Sequence, residues 1–127
     1  LLQHEVAAET LRLCRANYIN TCIETSAFAP WEQLWAVAQH CNTVFVDLKA
    51  MDSGKHKELT GVPNEQICCV GDRLYTDIAV AVNAGAQSVL VMSGETYEAM
   101  LRASDVQPKY VLRDVAELAQ ILRDGTA

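Results

Sequence analysis

The chain has 127 residues, half of them hydrophobic and a fifth charged, with a formal net charge of -6. This size and composition fit one globular domain with its own core, and the acidic balance excludes generic binding to nucleic acid or an anionic membrane, which needs a basic footprint. No apolar run approaches the ~20 residues of a spanning helix, and the stretch LLQHEVAAET lacks a signal-peptide pattern, so the cytoplasm is the expected compartment.

In chain order, HEVAAETLRLCRAN (4–17) spaces its apolar residues as a helix does, and INTCIET (19–25) is rich in β-branched residues and predicts a strand. Pro30 then opens a helix, PWEQLWAVAQHC, with Trp31, Leu34, Trp35 and Ala38 on one face. The two tryptophans are expected in core or interface packing. NTVFVDL (42–48) is the continuous apolar run of a strand buried on both faces. Asp52 or Ser53 caps a short helix carrying His56, and TGVPN (60–64) is a turn.

The alternation continues through a strand at EQICCVG (65–71), a helix at 76–85 stopped by Gly85, and a strand at QSVLVMS (87–93). A helix at 94–104, a short strand KYVL (109–112) and a final helix DVAELAQILRD (114–124), capped by Asp114, complete the chain. Strands alternating with helices predict an α/β fold: a single three-layer parallel sheet of about five strands, flavodoxin-like or Rossmann-like. The five cysteines, Cys14, Cys22, Cys41, Cys68 and Cys69, lack metal-site spacing and are read as small apolar side chains. His4, His40 and His56 are scattered and read as surface or boundary residues.

Parallel sheets bind ligands beyond the carboxyl ends of their strands. The polar residues there are Thr25 and Ser26, Asp47 and Lys49, Asp72 and Asp77, and Ser93 with Gly94. Two carboxylates, a lysine and hydroxyls suit Mg²⁺ with a phosphate. Helix caps and turns demand the same residue types, so capping competes with ligation at each position.

The stretches VGDRLYTDIAVAVNAG, SVLVMSGET and SDVQPKYVL, followed by DVAEL, resemble the C-terminal part of the haloacid-dehalogenase-like phosphatases. The resemblance implies a Mg²⁺ site at Asp72, with Asp77 supporting or sharing the ion. That family also uses a D-x-D strand for its aspartyl nucleophile and general acid, and no D-x-D occurs here. Asp47 has Lys49 at its +2 position, and Lys55 stands where a substitute for the family's lysine is conceivable.

Residues 1–62 point elsewhere. LLQHEVAAETLRLCR, INTCIETSAFAPWEQLWAVAQHC and TVFVDLKAMDSGKHKELTGV resemble the middle of a glycyl-radical-enzyme activase, a radical S-adenosylmethionine enzyme built as a partial (β/α) barrel. The resemblance assigns cofactor-contacting positions to Glu24, Thr25, Ser26, Asp47 and Lys49, with Ala27 where glycine is usual. The cluster-binding C-x-x-x-C-x-x-C motif does not occur in the sequence.

The two resemblances meet near TGVPNEQI. They predict a chimera in one α/β domain, with barrel-derived β/α units over 1–62 and phosphatase-derived units over 63–127. The resulting expectation is an engineered or recombined scaffold that is not an enzyme and has no catalytic residues. Its alternatives are a vestigial Mg²⁺/phosphate-binding module on Asp72 and Asp77, or a degenerate phosphatase. Apart from weakly held Mg²⁺ no cofactor is expected. A homodimer or strand-swapped oligomer is open to a junction that fits imperfectly.

Overall fold

The computed structural model describes residues 3–125. The chain divides into two compact units, one up to Lys49 and one from Ala50 onward. Within the first, α1 (His4–Ala16) and α2 (Trp31–Ala38) pack together, and β1 (Cys22–Thr25) pairs in parallel with β2 (Thr43–Val46). Thr21 fixes the register. Its hydroxyl donates to the His40 carbonyl at 2.6 Å, and its N–H donates to the Asn42 side chain at 3.0 Å. Cys22 is thereby set opposite Thr43 and Thr25 opposite Val46.

The second unit carries α3 (Ser53–Thr60), β3 (Cys68–Gly71), α4 (Ala79–Ala84), β4 (Gln87–Val91), α5 (Glu98–Ala103), β5 (Tyr110–Leu112) and α6 (Val115–Asp124). Its three strands form a parallel sheet in the order β3-β4-β5. Flanked on both sides, β4 buries Ser88, Val89, Leu90 and Val91, and Leu90 joins Leu74 and Ile78 in the core. Each fully buried aliphatic side chain of this kind contributes roughly 1.5–3 kcal/mol. Asn64 staples the connections. Its amide nitrogen lies within 3.2 Å of the Ala50, Met51 and Ala84 carbonyls, so loop backbone that a buried position would leave unpaired is satisfied. Gly85, at φ +70°, ends α4 in the left-handed conformation a side chain resists.

The expected α/β class with five parallel strands is what the chain adopts. The ladder differs from the expected one: the strands pair as two plus three instead of in one five-stranded sheet. Paired with β1 in a two-stranded sheet, β2 is exposed along its length, Phe45 at 58 % and Val46 at 65 %, so its apolar run is not the doubly buried strand expected. Trp31 and Trp35 are likewise outside the core. They are exposed and stack on each other with ring centroids 5.7 Å apart.

His56 corrects the surface reading in the other direction. It is buried, with Nδ1 2.7 Å from the Val62 carbonyl, because the turn after α3 folds back over it. The cysteines are all free. Burial pushes the Cys41, Cys68 and Cys69 thiols up, which favours the uncharged form.

Asp114 is the N-cap of α6 and accepts from the Glu117 N–H at 2.9 Å. Arg113 is the first cause of its lowered pKa and that N–H the second. A carboxylate shifted downward stabilises the fold above its unfolded-state pKa, and the contribution disappears as pH falls through the folded value. Asp114→Ala is therefore expected to lower the urea midpoint at neutral pH. The gap to the parent chain should close progressively on acidification.

Candidate functional site

Asp72 lies just beyond the carboxyl end of β3, and Asp77 lies within the unusual turn that follows. Leu74–Ile78 form one turn of π-helix, closed by the Ile78 N–H donating to the Arg73 carbonyl at 3.2 Å. An i→i+5 turn is wider than an α-turn and recurs at functional sites. Here it swings Asp77 back over the strand end. A methyl group on Gly71 would lie 2.3 Å from the Asp77 carboxyl carbon, an impossible approach, so glycine is required. The Asp77 carboxylate then accepts from the Arg73 N–H at 3.2 Å.

Asp72 is fixed from the neighbouring strand. After β4 the chain turns through Gly94, and the Glu95 N–H donates to Asp72 Oδ2 at 2.7 Å. A Cβ on Gly94 would fall 2.0 Å from that same oxygen. Thr96 is buried and completes the clasp, its hydroxyl donating to the Asp72 carbonyl at 2.6 Å and its N–H at 3.2 Å. These bonds hold 94–97 as a loop and delay α5 to Glu98, where the sequence had suggested helix from Gly94.

Neither carboxylate shares its second oxygen in a hydrogen bond among the described residues. Both aspartates are partly exposed. Two hard oxygen donors with open coordination suit Mg²⁺, which is commonly held by one or two carboxylates together with water and a phosphate. No third His, Cys, Asp or Glu joins them in a metal-holding group among the described residues. The two carboxylates could at most form a half-site for such an ion, and its remaining ligands would have to come from water or a bound anion.

Three side chains around this pair escaped the sequence reading. Arg73 Nε donates to Glu95 Oε2 at 2.7 Å, and the Tyr75 hydroxyl donates to Glu95 Oε1 at 2.6 Å. Glu95 raises the pKa of both partners, and Tyr75 stays a protonated donor. The available signal was a base and an acid following the carboxyl ends of adjacent parallel strands. Ser93, which the sequence reading did include, is exposed and makes no side-chain hydrogen bond among the described residues.

The first unit gathers a separate group. Lys49 Nζ lies 2.5 Å from Asp47 and 3.9 Å from Glu24. The Lys49 hydrogen bond is the main cause of a lowered Asp47 pKa, and Asp47 correspondingly raises that of Lys49. Thr25 spends its hydroxyl oxygen on the Ala27 N–H at 3.1 Å. Lys55 sits in the first turn of α3, its N–H bonded to the Asp52 cap at 2.7 Å.

Residues 36–118 match the model of the HAD-hydrolase-like family. Curated relatives match 53 % of the chain. The choline trimethylamine-lyase activating enzyme of Oleidesulfovibrio alaskensis is 43 % identical over 67 residues, 53 % of this chain and 22 % of that protein. The (2S)-3-sulfopropanediol dehydratase activating enzyme of Klebsiella oxytoca is 37 % identical over the same share of this chain and 21 % of its own length. The chain thus spans about a fifth of the curated relatives it matches. Among solved structures, the 4-nitrophenylphosphatase of Thermotoga maritima is 30 % identical, with a TM-score of 0.47, over 70 % of this chain and 36 % of that one.

Both expected resemblances are therefore present in one chain. The match to a hydrolase family overturns one expectation drawn from the missing D-x-D, that the chain is not an enzyme.

Two outcomes follow from the local geometry. Ala27 has φ +56°, the left-handed region where glycine is at ease. Ala27→Gly should stabilise the chain by up to about 1 kcal/mol in urea unfolding, the relieved strain exceeding the added unfolded-state entropy. Gly94→Ala should destabilise it by roughly 1–3 kcal/mol as the new methyl drives Asp72 out of place.

Proposed function

The chain belongs to the HAD-hydrolase-like family, and from that premise we propose that Asp72 and Asp77 form a Mg²⁺ half-site that recruits a phosphate-bearing ligand. The observation that carries this reading is the double glycine cradle. Gly71 and Gly94 each give up a side chain at the one place where it would collide with an aspartate. A cap requires no such approach from a second strand. Asp72 does not start a regular helix either: the π-turn begins at Leu74, with Arg73 as its N-cap residue.

Within the half-site the residues divide the work. Asp72 has one carboxylate oxygen pinned by the Glu95 N–H and the other without a hydrogen-bond partner among the described residues. Asp77 lies in the π-turn and is steadied by the Arg73 N–H. Bound Mg²⁺ would offset the repulsion of two aspartates toward an anion and polarise its phosphoryl oxygens. The reading extends to a degenerate phosphatase module, in which this chain supplies the metal-binding portion of phosphoryl-transfer chemistry.

Calorimetric titration of the full chain with Mg²⁺ tests the proposal. Saturable binding at one site is expected, with at least a tenfold loss in Asp72→Asn, about the 1.4 kcal/mol of one lost charge-assisted contact. A binding curve unchanged by that substitution would refute the assignment.

A further inference from the structure

The carboxylate of Glu95 occupies two donors of the turn after β3. It is part-exposed, at 39 %, and is held by Arg73 at 2.7 Å and Tyr75 at 2.6 Å. Both donors lie in the chain between Asp72 and Asp77, Glu95 bonds Asp72 through its N–H, and the Asp72 charge is felt at both Arg73 and Tyr75. Its backbone anchors Asp72 independently of the side chain, through the N–H. The position of Asp72 is thus separable from what the Glu95 carboxylate does.

Formal charge sharpens the point. Asp72, Asp77 and Glu95 carry three negative charges against the single positive charge of Arg73. An anion approaching this strand end meets repulsion, and the cation that would attract it is already paired. Guanidinium groups bind carboxylate and phosphate by the same planar geometry, and a phosphate dianion, with more charge and more acceptor oxygens, is the stronger competitor once a metal has lowered the local potential.

We infer that Glu95 is an internal stand-in for the ligand's phosphate group, and that a phosphate monoester displaces its carboxylate from Arg73 and Tyr75. This rests on the Asp72–Asp77 reading for the location of the ligand, but not for the exchange itself. No covalent step is involved: two hydrogen bonds to a carboxylate are replaced by two to a phosphoryl oxygen pair, and Glu95 swings into water. Arg73 and Tyr75 are then ligand-binding residues, and Glu95 sets affinity by competing with the ligand. The device makes anion binding weak until a cation is present.

Orthophosphate titrations of the full chain, with and without saturating Mg²⁺, decide it. Glu95→Gln keeps the backbone N–H and is expected to bind phosphate about tenfold more tightly than the parent chain. Arg73→Met should lose that gain in the Glu95→Gln background, and Tyr75→Phe should lose part of it. The Tyr75 ring resonances should shift on phosphate addition. If Glu95→Gln binds phosphate no more tightly than the parent, or Arg73→Met leaves the gain intact, the inference is overturned. If the gain appears and Mg²⁺ has no effect on it, the exchange stands and the metal reading fails.

Discussion

The hydrogen bond from the Glu95 N–H to Asp72 Oδ2 is the contact on which the candidate site depends. It joins the loop after β4 to the end of β3, across the join between two parallel strands. For the bond to form at 2.7 Å the intervening Gly94 must have no side chain, and Thr96 must be drawn inward to bond the Asp72 carbonyl. The same loop therefore cannot be helical. Strand pairing sets the distance, glycine permits the approach, and the carboxylate is left with one oxygen committed and one open.

The π-turn supplies the matching constraint on the other aspartate. A regular α-helix beginning at Leu74 would bring residues three or four apart onto one face. The i→i+5 closure, from the Ile78 N–H to the Arg73 carbonyl, instead holds Asp77 where its carboxylate accepts from the Arg73 N–H. Its apolar members, Leu74 and Ile78, enter the core with Leu90, so the turn is anchored by burial while its polar members stay at the surface. Packing energy thus holds open a backbone geometry that hydrogen bonding alone would tighten.

Much of this was legible in the amino-acid order. Apolar runs and glycine stops located the strands and the end of α4, and the G-D-x-x-x-T-D spacing marked both aspartates. Three features were not legible, for physical reasons. Exposure of the TVFV strand depends on how many partners it finds, which no local pattern encodes. Burial of His56 follows from a turn folding back six residues later. The Arg73–Glu95–Tyr75 group is assembled by residues 20 and 22 apart in sequence, brought together only by parallel pairing. The missing D-x-D removes the phosphatase family's nucleophile but leaves the family signature in the rest of the chain, so the expectation that the chain is not an enzyme does not hold.

The most direct test of the half-site is paramagnetic: substoichiometric Mn²⁺ added to the isotope-labelled chain, with line broadening mapped over the backbone amides. Broadening centred on Gly71, Asp72, Asp77, Gly94 and Glu95, and reversed by excess Mg²⁺, is the predicted result. Broadening spread over the acidic surface, or centred on Glu24 and Asp47, would contradict it.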